Sequence, residues 1–318
     1  MIALTFVSHA REFAGRPVVD VPDDGPLPTV DGPVSWRFGV WHFDGATDEG
    51  LSEEFRVAFD QFVAQAGPSV ESLVVGPWGY AAFHPAPIAQ LCAAASRLPA
   101  LRALFLGDMT SEDCEVSWIR VGDVSPLLTA YPALEVLRVR GGEDLAFSPV
   151  RHDRLRELAV ESGGLSREFV GAVLDSDLPA LTDLELWLGT ADYGGDARVA
   201  DLAPLLAGER FPALRRLGLR NAEIADDLAE ALASAPVTAR LERLDLSLGT
   251  LGDRGAAALT GGRTLTHLAE LDLHHHYLSE EMAAAVAAAL PGVRVDVSDP
   301  KEPDEYDGES YRYTAVSE

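Results

Sequence analysis

The sequence predicts an α/β fold: a curved parallel sheet wound as a solenoid, with helices on the convex side and a non-repeat α/β cap at the N-terminal end. Three observations predict it. A leucine-rich phrase returns along most of the chain, amphipathic stretches follow several of its copies, and residues 1–67 do not fit the repeat. Self-similarity at a period of some tens of residues is the mark of stacked units, each burying its apolar face on the next.

The phrase is clearest as Leu98-Pro-Ala-Leu-Arg-Ala-Leu-Phe-Leu. It returns as Tyr131-Pro-Ala-Leu-Glu-Val-Leu-Arg-Val, Leu178-Pro-Ala-Leu-Thr-Asp-Leu-Glu-Leu and Phe211-Pro-Ala-Leu-Arg-Arg-Leu-Gly-Leu. Its core is L-x-x-L-x-L. Shorter copies begin at Leu155, Leu241 and Leu268, and weaker ones at Val70 and Leu290, nine in all. From Val70 the successive starts lie 31, 33, 21, 26, 33, 27, 27 and 22 residues apart. Residues two apart on a strand share a face. The last two leucines of each copy therefore point into a core, and the residues around them point outward. Val199 to Leu206, Asp226 to Ser234, Gly252 to Thr260 and Ser279 to Leu290 have the apolar spacing of returning helices. Ser279 is placed to cap the last of them.

This pattern resembles the leucine-rich-repeat proteins from roughly Val70 to Val297, and Leu241 to Leu259 resembles their helix-bearing type. The resemblance implies stacked parallel strands and an extended concave face. One position departs from it. Where such repeats carry Asn or Cys in the turn, this chain has Trp78, Met109, Gly142, Gly163, Gly189, Ala222, Gly249 and His276, with Asn221 one place early. Irregular turns are expected. With its N-terminal cap and its His274-His275-His276-Tyr277 segment, the chain also resembles a bacterial, actinobacterial-type family of such proteins, which implies a fold and no activity.

The ends differ from the middle. In the cap, Val18 to Val21 and Val34 to Phe43 are expected as strands. Leu51 to Ala66 places Phe55, Ala58, Phe59, Phe62 and Val63 on one helical face. A repeat domain is expected over 68–298 and an acidic tail over 299–318. The tail holds seven acidic and two basic residues and is expected to be solvated, with Tyr306, Tyr311 and Tyr313 able to dock it.

Composition narrows the function. The 318 residues include 25 basic and 51 acidic side chains, a net charge of −26, with a single lysine, Lys301. Bulk electrostatics then exclude nucleic acid and anionic membranes as partners. At 47% hydrophobic residues the chain is not a disordered acidic polymer. Two cysteines make no disulfide framework, Met1 to Ala10 lacks a basic leader, and the apolar run Met282 to Leu290 is too short to span a bilayer. A cytoplasmic protein is expected. Neither a phosphate-cradling nor a dinucleotide motif is present, and no cofactor is expected. Cys114 sits between acids, which weakens it as a nucleophile.

Stacked strands would line outward residues into columns. The middle copies place Arg138, Arg140, Glu161, Glu185, Trp187 and Arg220 there, beside Phe105 of an earlier copy. A tryptophan among arginines has the composition of an interface hot spot, although a loop such as Thr190 to Ala197 could equally cover it. That loop and Asp108 to Arg120 are insertions of the kind that often bind. Toward the C-terminal end, Asp245 and Asp272 are expected as neighbours in one column, with His274 in the next, as candidate metal ligands or a general base, and Arg294 is available to balance Asp272. The leading expectation is a non-enzymatic scaffold that binds a protein or peptide on the concave face. The alternative is a metal-dependent or general-base enzyme using Asp245, Asp272 and His274. A third reading has the tail tyrosines occupying the concave face. The oligomeric state is left open.

Overall fold

The structure, a computed structural model, describes residues 7–40, 52–262 and 265–318. It is α/β, with mostly parallel, open sheet, and divides into two compact units, 1–161 and 162–317.

The first unit begins with β1 (Glu12–Phe13), β2 (Arg16–Asp20) and β3 (Ser35–Val40). Then come α1 (Glu53–Ala66), β4 (Ser72–Trp78), α2 (Ile88–Ala93), β5 (Ala103–Leu106), α3 (Ser125–Ala130), β6 (Val136–Arg140) and β7 (Glu157–Glu161). The β1–β2 pair is antiparallel, and every later pair in this unit is parallel. Helix α1 starts where Ser52 caps it, its Oγ accepting the Phe55 N–H at 3.0 Å. Spacing by three and four puts Phe55, Phe59 and Phe62 against Phe38 of β3, with ring centroids 5.1, 5.4 and 5.7 Å away. The cap strand and helix expected from sequence are therefore present. Residues 41–43 and 51, which the two expectations also covered, lie outside the described residues.

Register follows the repeated phrase. Leu73, Leu104, Leu137 and Leu158 pair in turn and are fully buried. Full burial of each contributes about 1.5–3 kcal/mol. Gly107 ends β5 at φ +94°, where a Cβ would lie 2.2 Å from the Arg140 carbonyl oxygen, so only glycine fits.

The second unit holds α4 (Arg167–Asp175), β8 (Asp183–Gly189), α5 (Ala203–Leu206), β9 (Arg216–Ala222), α6 (Ala225–Leu232), β10 (Arg243–Asp245) and α7 (Asp253–Gly261). It continues with β11 (Glu270–Asp272), α8 (Glu280–Ala289), β12 (Arg294–Asp296) and the hairpin β13 (Asp304–Tyr306) and β14 (Glu309–Tyr311). Strands β8 to β12 pair in parallel and in chain order. Leu184, Leu217, Leu244 and Leu271 form their buried column. Ser279 caps α8, its Oγ accepting from Met282 N at 3.1 Å.

Two expectations change here. The last copy, read from Leu290, is two residues early: Leu271 pairs with Val295, not Val293. Pro291 and Gly292, the latter at φ +88°, are used in leaving α8, so the strand starts later. The tail also differs from a wholly solvated segment. Its hairpin is exposed, but Thr314 and Val316 are buried in the second unit. Among the described residues no helix is long and apolar enough to cross a membrane.

Candidate functional site

In the first unit the outward residues proposed for partner binding are internal. Phe105 is 1% exposed, Glu161 2% and Arg140 6%. The covering segment is residues 7–13. Phe13 packs on Phe105 at 5.7 Å, within a cluster that includes Val74 and Ala103. Arg140 lies over the Phe105 ring at 5.2 Å, donates from Nε to Glu161 at 2.7 Å, and donates from Nη1 to the carbonyls of Met109 at 2.7 Å and Ser8 at 3.2 Å. Buried Asp108 accepts the Ala10 N–H at 2.9 Å and faces Arg37 at 3.3 Å and Arg140 at 3.8 Å. Arg138 stands at the margin, 3.1 Å from Glu161 and 3.5 Å from Glu157. The apolar positions Val74 and Phe105 are the floor on which the N-terminal segment packs. The Asp108–Arg120 insertion contributes the Met109 carbonyl that holds Arg140.

In the second unit Trp187 is 4% exposed. Its Nε1 donates to Glu185 at 2.8 Å, and the Arg220 guanidinium covers its ring at 5.3 Å. Arg220 also reaches Glu185 at 2.9 Å, Ser247 Oγ at 2.9 Å and Asp245 at 3.3 Å. Trp187 is thus an anchor inside the unit, with its polar atom satisfied, rather than an open hot spot.

Beyond it runs a column of carboxylates, Asp245, Asp272 and Asp296, paired strand to strand. Each accepts the backbone N–H two residues on: Ser247 at 3.1 Å, His274 at 3.1 Å and Ser298 at 2.9 Å. These are Asx turns that close the strand ends. Asp272 also accepts His274 Nδ1 at 2.7 Å, and Arg243 lies 3.2 Å from Asp245 and 3.5 Å from Asp272. Burial raises the Asp245 carboxyl above its usual range, Arg220 opposing and Asp272 adding to the rise. Burial also acts to raise Asp272, but the side-chain and backbone hydrogen bonds from His274 outweigh it and leave it lowered. The hydrogen bond to Asp272 raises His274 against its burial.

The donor atoms that share a cation-sized space belong to Asp272, His274 and Asp296, all within 4.8 Å of one another. Asp245 of the sequence-derived trio is turned instead toward Arg220 and Ser247. Asp296 was missed because the final copy was read two residues early, which takes it out of the column. Arg294 pairs with Glu270 rather than balancing Asp272. The two histidines that follow His274 make other contacts. His276 accepts the Leu278 N–H at 3.0 Å on Nδ1 and holds the Val297 carbonyl at 2.9 Å through Nε2. His275 faces Asp299 and the Tyr313 carbonyl.

The most outward row of this unit is Asp183, Arg216, Arg243, Glu270 and Arg294, in register. Arg216 pairs with Asp183, and Arg243 lies 3.7 Å from Glu270. The arginines are the outer members. Their side chains are 57%, 39% and 74% exposed, against 19% for Asp183 and 17% for Glu270.

No protein-family model matches the chain, and no curated protein matches it. Among solved structures it is similar to a protein from Bacteroides fragilis, determined as a structural-genomics target, with 33% identity and a TM-score of 0.70. The match covers 75% of this chain and 68% of that one. The two chains belong to one family. Within it, the kinship carries the fold, and the chemistry has to be argued from this family member's own side chains.

Its thiols contribute little to that chemistry. Cys92 and Cys114 are free, and burial, helped by Glu115 and Asp113, pushes the Cys114 thiol up to about 11.

Proposed function

We propose that the chain is a leucine-rich-repeat solenoid of about nine repeats acting as a non-enzymatic interaction scaffold in the cytoplasm. Its partner is a protein or peptide whose acidic segment lies across the concave sheet face along Arg216, Arg243 and Arg294. The in-register leucine columns of both units support the repeat reading. The observation that carries the binding reading is the row of solvent-exposed, ion-paired arginine side chains in a chain of net charge −26. Bulk charge repels an anionic partner at long range, but salt screens that repulsion beyond about 8 Å at physiological ionic strength. Contact with a local arginine row then decides. Stacked repeats offer such extended surfaces.

The test is fluorescence anisotropy with a labelled oligoglutamate peptide. The wild-type chain binds it saturably and more weakly as salt rises. The double variant Arg216→Gln, Arg294→Gln loses at least about tenfold in affinity. Undiminished binding would remove this surface.

A second reading has one observation in its favour, the convergence of Asp272, His274 and Asp296. Two carboxylates and an imidazole suit zinc or manganese, and a bound ion would place a Lewis acid on the sheet face. Calorimetric titration of the untagged protein with either metal tests it. Binding must be lost in Asp296→Asn and kept in Asp245→Asn.

A further inference from the structure

Three residues recur at the same spacing, Asn221 near the end of β9 and Leu248 and His275 just beyond β10 and β11. Asn221, Leu248 and His275 lie 27 residues apart and all adopt left-handed backbone, with φ of 50°, 66° and 56°. Side-chain-bearing residues rarely hold that conformation. Across their row lies a piece of this same chain, residues 313–316, which bends at Ala315. The Asn221 amide grips Val316 at both backbone groups, donating to its carbonyl at 2.5 Å and accepting its N–H at 3.0 Å. Ala315 N donates to the Leu248 carbonyl at 2.8 Å. The Tyr277 hydroxyl takes Tyr313, accepting its N–H at 2.8 Å and donating to its carbonyl at 3.0 Å. His275 Nε2 stands 3.4 Å from that same carbonyl. Thr314 and Val316, two apart, are the buried side chains, while Tyr313 is exposed.

Hydrogen bonds to its main-chain groups hold this segment, and two of its side chains are buried. Every polar contact made with residues 313, 315 and 316 falls on backbone atoms, so the site tolerates sequence except at the two buried positions. The segment that fills it is joined to the rest of the unit through the exposed β13–β14 hairpin.

We propose that the row Asn221, Leu248, His275 and Tyr277 is a docking groove for a partner's peptide, held by its main-chain groups and carrying small β-branched residues two positions apart. The chain's own residues 313–316 fill it in cis as a built-in competitor. A tethered segment acts at an effective concentration of order millimolar, so a partner peptide enters only when that segment is released. The groove is separate from the arginine row, and either surface can fail without the other.

The probe is a labelled peptide with the sequence of residues 311–318, titrated by anisotropy into full-length chains. Val316→Asp in the chain unseats its own segment. This variant binds the peptide at least about tenfold more tightly than wild type. Adding Asn221→Ala returns affinity to the wild-type level or below, and a peptide carrying the same Val316→Asp change does not bind. Thr314→Asp, which unseats the segment at the other buried side chain, behaves as Val316→Asp does. The proposal is overturned if the folded variants bind no peptide, if they bind no more tightly than wild type, or if Asn221→Ala leaves binding intact.

Discussion

The two units use different outward strand positions in different ways. In the first, Arg140, Glu161, Asp108 and Phe105 are sealed beneath residues 7–13, and their charges are spent on one another and on backbone carbonyls. In the second, the inner carboxylates are likewise engaged, and Arg216, Arg243 and Arg294 pair with Asp183, Asp245 and Glu270, but their side chains stay 57%, 39% and 74% exposed. An outward position is therefore not an open one. What decides is whether a non-repeat segment has apolar floor to pack on. Val74 and Phe105 supply that floor in the first unit. The charged outermost row of the second offers none.

Substitutions sharpen the contrast. Glu161→Ala leaves Arg140 buried without its carboxylate and should cost about 3–5 kcal/mol in denaturant unfolding. A loss below about 1 kcal/mol would mean that the first unit's face is open after all. Trp187→Ala should behave as a core truncation, also about 3–5 kcal/mol. If it instead left stability unchanged and weakened partner binding, Trp187 would be the hot spot that its composition promised. Arg216→Ala, on the open row, should change stability by only about 0–1 kcal/mol.

Acid–base behaviour separates two neighbouring histidines by sign. His274 is raised above its usual 6.5 by the hydrogen bond to Asp272, so its contribution is full below that value and fades as pH climbs through the raised one. Arg220 opposes this rise and Asp245 reinforces it. His275 is lowered, chiefly by burial, with Lys301 acting the same way and Tyr313 and Asp299 opposing. Its contribution is full above 6.5 and fades as pH falls through the lowered value. Denaturation midpoints measured between pH 5 and 8 should therefore fall less on the alkaline side for His274→Gln than for wild type. For His275→Gln they should fall less on the acid side. Equal curves for all three proteins would contradict both assignments.

Much of the fold was legible in the sequence because the physics of the repeat is local. A Leu-x-Leu pair fixes which face is buried, and its recurrence fixes parallel register, so the columns around Leu104 and Leu217 could be written down directly. The Phe55, Phe59 and Phe62 spacing showed α1 in the same way. What was not legible was cover. Nothing in Ser8 or Phe13 taken alone says that they fold across Arg140 and Phe105, because that contact is between residues more than ninety positions apart. The site was half legible. Asp245 and Asp272 were placed side by side, as their strand pairing has them. Asp296 was lost to a two-residue slip after Leu290, where Pro291 and Gly292 delay the strand. The tail's docking was hidden because its partners, Asn221 and Leu248, act through backbone and amide groups that no apolar pattern marks.

The account turns on one claim, that the second unit's arginine row is available to a partner while the first unit's charges are not. Its most direct measurement is oligoglutamate binding by anisotropy in the double variant Arg216→Gln, Arg294→Gln, set beside Arg138→Gln. The account predicts at least about a tenfold loss in the first and little change in the second. Binding unchanged in the double variant, or lost equally in both, would contradict it.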